Sequence, residues 1–331
     1  MTGYLRIIRL PNLLIIAATM LAVRYGLLET LWHHGITLLL NEGFLPQGIG
    51  LHMKTFDFGL LVISTLFIAA AGYIINDYFD TKTDRINKPD RVVVGKTISR
   101  RWAITWHLVL SFLGLLIAAY LAWKCGNKKI AVLQFISIVA LWFYSSHLKK
   151  QMLSGNILIA LLAAMVPITT GIFEFSNGAL LSLEIINVNA SNVGTTLLKE
   201  GMVMVIGYSI FAFLSNLVRE IVKDIEDMDG DLEQGCRTLP IVAGEHQARF
   251  IAMSVAMFTL ITLGLIMKYL WSYGLYEMFW YLAVAVQLPL VWLLFTLWNA
   301  IEKADYTRAS LICKILIVTG VLSMVVFRFT F

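Results

Sequence analysis

The chain has 331 residues, of which 59% are hydrophobic and only 14% charged, with a mean hydropathy of +0.77. Soluble domains run nearer roughly 45–50% and about 25%, so a water-soluble enzyme is excluded and a polytopic membrane protein is expected. The formal net charge of +5 does not call for nucleic acid, because in a membrane protein the placement of Lys and Arg matters more than their sum.

Nine apolar stretches of about 18–23 residues, each long enough to cross a bilayer, lie at 10–31, 57–76, 102–122, 130–147, 154–173, 200–219, 248–269, 276–299 and 309–328. They predict an all-α bundle of nine transmembrane helices forming one domain over 1–331. Residues 1–9 hold Arg6 and Arg9, but no small-residue cleavage site follows, so the first span is expected to be retained. Segment 174–199, rich in Asn and Gly, is expected to be a non-cytoplasmic loop. Its Asn189-Ala-Ser191 matches a glycosylation sequon, for which chance is the better reading. Cys125, Cys236 and Cys313 match no metal spacing and read as small buried apolar residues.

Basic residues set the orientation. With the N-terminus in the cytoplasm, 17 of the 26 Lys and Arg fall on the cytoplasmic side and seven on the other, leaving Arg24 and Lys314 within spans. That bias places the N-terminus inside.

Two acidic motifs of equal spacing stand 147 residues apart: Asp77-x-x-Asp80-x-x-x-Asp84 and Asp224-x-x-Asp227-x-x-x-Asp231. They end spans two and six, so both are expected on the cytoplasmic side. On a helix, positions i, i+3 and i+7 fall within about 60° of one another, so each motif aims three carboxylates one way. Such a cluster repels itself unless a cation intervenes, and Mg²⁺ typically binds one or two carboxylates together with substrate phosphate. The pair predicts a magnesium–diphosphate site and hints at an internal repeat, with motif one at 76–84 and motif two at 224–231. The basic loop 85–101 and Lys149-Lys150 face the same compartment and are candidates to grip the diphosphate, Arg91 and Lys149 first.

Other readings fail on spacing. In an EF-hand aligned on Asp227, Gly230 falls fourth rather than sixth and Thr238 stands where the closing Glu belongs. A lipid-headgroup phosphoalcohol transferase needs Asp-Gly-x-x-Ala-Arg, whereas Asp229-Gly230 continues Asp231-Leu232-Glu233-Gln234. A cation transporter with paired acidic gates is the rival from another class, although both clusters lie on one face instead of flanking a midplane site.

At Asn76-Asp77-x-x-Asp80-x-x-x-Asp84 followed by Ile86-Asn87-Lys88-Pro89-Asp90-Arg91, and at Asp227-x-x-x-Asp231 followed by Gly235-Cys236-Arg237-Thr238-Leu239-Pro240, the chain resembles the UbiA superfamily of intramembrane prenyltransferases. Arg9-Leu10-Pro11-Asn12 and Tyr144 through Lys149-Lys150 resemble its opening and its fourth span. Val92-Val93-Val94-Gly95 departs from the Pro-rich stretch usual after Arg91, which bears on the shape of that loop. The resemblance implies one Mg²⁺ on Asn76, Asp80 and Asp84 and another on Asp227 and Asp231, with Asp77 and Asp224 supporting. It further implies a polyprenyl diphosphate donor held with help from Lys88, Arg91, Lys149, Asn12 and Tyr144, and a lipophilic acceptor. Tyr73, Tyr78, Phe79, Phe211 and Phe213 lie near the motifs and are candidates to shield a cation. The run Arg219 to Asp227 most resembles the branch that adds a second geranylgeranyl group to geranylgeranylglycerol phosphate. Other branches prenylate aromatic rings, as in quinone synthesis. The setting implied is a bacterial or archaeal cell membrane.

Overall fold

A computed structural model describes residues 6–41, 53–87, 92–175 and 188–330. Among them are nine helices long and apolar enough to cross a membrane. In chain order they are α1 (Leu10–Gly35), α2 (Thr55–Asn87), α3 (Arg100–Lys124), α4 (Lys129–Ser146), α5 (Ser154–Glu174), α6 (Val188–Glu226), α7 (Glu245–Ser272), α8 (Tyr276–Trp298) and α9 (Lys303–Thr330). Each of the nine expected spans falls on one of them. One expectation needs correction: residues 188–199 are not loop but the first turns of α6. No proline interrupts them, and Leu197 to Glu200 are good helix formers that run straight into the span. Residues 176–187 of the expected loop lie outside the described residues, as do the side chains of the sequon.

The bundle is built inside out relative to a soluble protein. Bulky apolar side chains such as Phe112, Phe135, Phe258 and Phe295 point outward, where lipid would meet them. Small ones sit at helix contacts, as in the fully buried Ala248, Ala252 and Ala256 of α7 against α6, which lets backbones approach closely. One core joins α1 with α6, α7, α8 and α9. A second joins α1 with α2, α3, α4 and α5 around Met20, Phe58, Leu121 and Phe173.

α2 has 33 residues, about 50 Å at 1.5 Å per residue, against roughly 30 Å of hydrocarbon. Its last turns, which carry the first motif, therefore reach the polar margin. The loop that follows is compact. Gly95 makes its turn at φ +82°, the Val93 carbonyl accepts the amides of Lys96, Thr97 and Ile98, and Val93, Val94 and Ile98 bury against Ile7 and Ile74. Val93 and Val94 thus act as an apolar plug.

A buried ion pair stands apart from the motifs. Arg24, in a π-helical stretch of α1 (Ala22–Leu28), meets Glu174 of α5 and the Met53 carbonyl, with the Phe58 ring 4.6 Å from its guanidinium. Neither charge could be left alone in an apolar bundle.

Candidate active site

The first motif lies as its spacing predicts. Asp77, Asp80 and Asp84 share one unbroken helix that ends at Asn87. Asn76 and Asp80 are buried. The Asn76 amide donates to Asp80 Oδ2 at 2.7 Å, and its own oxygen is buried with no hydrogen-bond partner. An unspent buried acceptor beside carboxylate oxygens matches the all-oxygen donor set of a hard divalent cation. Asp77 turns instead to Arg9, which donates to its Oδ1 at 2.7 Å and lies over the Tyr73 ring at 5.2 Å. Arg9 adopts a left-handed backbone, φ 51° and ψ 55°, at a cost of roughly 1–2 kcal/mol.

The second motif departs from expectation. Its three carboxylates do not share one unbroken helix. α6 ends at Glu226, the chain turns at Asp227 (φ −98°, ψ 7°), and the short helix Met228–Glu233 follows. A side chain from the first motif's helix reaches this turn. Asn87 Nδ2 donates to the Asp227 carbonyl at 3.0 Å, an oxygen that also accepts the Asp231 amide at 3.2 Å. Asn87 Oδ1 in turn accepts the Gly230 amide at 3.1 Å. One asparagine therefore clasps both ends of that turn, and the two motifs meet at one end of the bundle.

Lys149 stands between them. It follows α4 in the turn Leu148–Lys150, and its ammonium pairs with Asp80 within the field of Asp84 and Asp231 as well. Burial alone would lower the Lys149 pKa, but the charge and hydrogen bond of Asp80 together with Tyr144 and Asp84 hold it above the ordinary value. Asp231 shows the opposite balance: burial pushes its carboxyl up to about 6, against the pull of Lys149 and with the push of Asp227 and Asp80. Among the described residues no three carboxylate, imidazole or thiolate groups close on a metal-sized point. The one cation paired with Asp80 is the lysine's own.

Of the other expected residues, Tyr144 lies half-buried among Lys149, Glu220 and Asp224, and Asn12 meets the Tyr73 side chain. Asp224 accepts a hydrogen bond from Asn156 Nδ2 at 2.8 Å. Lys88 and Arg91 lie outside the described residues. The aromatic candidates divide. Tyr73 sits under Arg9 and Tyr78 under Arg100 at 4.4 Å, whereas Phe211 packs on Gly320 of α9. Sequence reasoning missed Arg9, Asn87, Asn156 and Glu220 as site residues. The signal for Asn156 was available: a polar side chain within an apolar span calls for a use.

The sequence profile of the UbiA prenyltransferase family matches residues 44–318. Digeranylgeranylglyceryl phosphate synthase of Pyrococcus abyssi (strain GE5 / Orsay) is 35% identical over 206 residues, 62% of this chain and 63% of that protein, so the match spans somewhat under two thirds of this relative's length. The protein of the same name from Thermococcus gammatolerans is 30% identical over 284 residues, 86% of this chain and 88% of the relative. A solved UbiA homolog from Archaeoglobus fulgidus, bound to DMAPP and Mg²⁺, has the same fold with a TM-score of 0.57 at 16% identity, over 98% of this chain and 99% of that one.

Proposed function

The chain belongs to the UbiA prenyltransferase family, and from that premise we propose that it transfers a geranylgeranyl group from geranylgeranyl diphosphate to the hydroxyl of geranylgeranylglycerol phosphate. The observation that carries the reading is the convergence of both acidic motifs on Lys149 through the Asn87 clasp. Two clusters of carboxylates around one ammonium match what an oligophosphate needs, namely divalent cations on its oxygens and a fixed positive charge beside them. The acceptor is supported by the names of the relatives above and by the run Arg219 to Asp227.

In this reading Asn76, Asp80 and Asp84 hold one Mg²⁺ and Asp227 and Asp231 another. When bound, magnesium neutralises the diphosphate and eases its departure. Asp77, neutralised by Arg9, and Asp224, held by Asn156, position their neighbours. With Asp80 given over to a cation, the Lys149 ammonium would be available to the diphosphate. Tyr144, Asn12, Lys88 and Arg91 are assigned to the diphosphate as well. The donor's C1–oxygen bond breaks with its electron pair going to the diphosphate. The acceptor oxygen then bonds to C1, and its proton passes to a basic oxygen such as one on the released diphosphate. The apolar bundle keeps water from the allylic centre, which would otherwise hydrolyse. We assign the N-terminus and this site to the cytoplasmic side on the basic-residue bias.

The test is diphosphate release from geranylgeranyl diphosphate in the presence of the acceptor. Wild type should release it only with Mg²⁺, and Asp80→Ala and Asp227→Ala should each abolish release while still inserting in the membrane. Near-full turnover of either variant at saturating Mg²⁺ would break the shared-site reading.

A further inference from the structure

Glu220 of α6 belongs to neither acidic motif, yet it is 6% exposed and carries a charge within an apolar span. Its carboxylate lies in the field of Lys223, Arg219, Lys149 and Arg9, four cations around one anion. Arg219 Nη1 donates to Glu220 Oε1 at 2.8 Å, while the Lys223 ammonium stands 3.6 Å from Oε2, beyond hydrogen-bond reach. Arg219 Nε is buried with no hydrogen-bond partner. Arg219 thus keeps a donor unspent where that is costly, and the partly exposed Lys223 ammonium has no direct hydrogen bond to Glu220.

Their depth is informative. Lys223 and Arg219 precede Asp227 by one and about two turns, about 6 and 12 Å along the helix axis at 1.5 Å per residue. They lie on the apolar side of the second motif, at the level where a donor whose diphosphate is at the motifs and whose tail is in the bundle presents its C1. A nucleophile must approach there, and a glycerol phosphate carries its anion one carbon away from the hydroxyl that attacks. Metal-borne diphosphate, bound nearer the helix end, has no need of these two side chains.

We propose that Arg219 and Lys223, held in place by the buried carboxylate of Glu220, form a second anion site that receives the phosphate of the acceptor and selects a phosphorylated alcohol. This rests on the acceptor class proposed above. Glu220 keeps the cations together when the site is empty, and the acceptor's phosphate takes up the donors that Glu220 leaves unused.

The experiment is steady-state kinetics of the purified full chain in detergent with geranylgeranyl diphosphate, Mg²⁺ and two acceptors, geranylgeranylglycerol phosphate and geranylgeranylglycerol without the phosphate. Lys223→Met and the pair Arg219→Gln/Glu220→Gln, which removes one positive and one negative charge together, are compared with wild type. Each should raise KM for the phosphorylated acceptor about ten- to a hundredfold, as expected for losing a charge-assisted hydrogen bond. The preference for the phosphorylated over the plain alcohol should shrink by the same factor. The donor KM should move far less, which also reports that the variants are folded. A loss falling equally on donor and acceptor KM, or an unchanged preference between the two alcohols, overturns the second anion site and leaves the prenyl-transfer reading standing. Failure of wild type to prenylate the phosphorylated acceptor at all would instead overturn both.

Discussion

Asn87 and Gly230, 143 residues apart in the chain, share a hydrogen bond of 3.1 Å from the Gly230 amide to the Asn87 side-chain oxygen. The other end of the same amide group donates to the Asp227 carbonyl at 3.0 Å. The first acidic helix is thereby fastened to the second acidic turn through one side chain.

The clasp predicts a coupled pair of variants. A Cβ on residue 230 would lie 2.5–2.6 Å from the Asn87 amide atoms, so Gly230→Ala must expel the side chain that Asn87→Ala removes. Each should lower kcat/KM about 10–100-fold, the range for a residue that orients metal ligands. The double variant should be no worse than either alone, because both break one link. Additive losses in the double variant would show that the two residues act separately.

Lys149 is set by packing as well as by charge. A Cβ at Gly155 would lie 2.8 Å from the Leu148 carbonyl oxygen and 3.1 Å from Lys149 Cα, both backbone atoms that can yield only by moving the turn. Gly155→Ala should therefore mimic part of Lys149→Met: a donor KM raised severalfold to about tenfold, with thermal stability of the detergent-solubilised protein changed by only a few degrees. If Gly155→Ala leaves the donor KM untouched, the position of this turn does not matter to the diphosphate.

Much of this site can be read from the chain, and the reasons are physical. The nine spans are legible because about 20 apolar residues in a row have one use in a bilayer. Asp80 and Asp84 are legible because a continuous helix converts spacing into a shared face. The same rule misleads at Asp224 to Asp231, since the helix breaks at Asp227, where the chain meets Asn87, a partner 140 residues away that no local pattern announces. Arg9 is likewise visible only as part of a family-like opening. Its pairing with Asp77 requires the left-handed turn and the approach of α1 to α2. Residues 188–199 were misread because Asn-rich composition suggests a loop, while the absence of proline and the helix formers beside the span decide the outcome.

Asp231 gives the site an acid limb. Its carboxyl is raised to about 6 by burial, so it is ionised above that pH and protonated below it, and only the ionised form can ligate a cation. Transfer should fall as pH drops through about 6. Because metal and proton compete for the same oxygens, a tenfold increase in Mg²⁺ should move the midpoint down by up to about one pH unit. The check is a pH–rate profile at two Mg²⁺ concentrations. A midpoint indifferent to Mg²⁺ would assign the acid limb to some other group.

Orientation is testable apart from chemistry. In a background lacking Cys125, Cys236 and Cys313, Asp90→Cys should react with a membrane-impermeant maleimide only from the cytoplasmic side, and Ala190→Cys only from the opposite side. Labelling of both from one side would contradict the nine-span topology.

The account turns on what the enzyme prenylates. Purified protein given geranylgeranyl diphosphate, Mg²⁺ and an equimolar mixture of geranylgeranylglycerol phosphate, 4-hydroxybenzoate and dihydroxynaphthoate, with products resolved by mass, tests this in one reaction. The account predicts the doubly geranylgeranylated glycerol phosphate as the dominant product, and no product when the divalent cation is chelated. Preferential prenylation of either aromatic ring, or transfer that survives chelation, would contradict it.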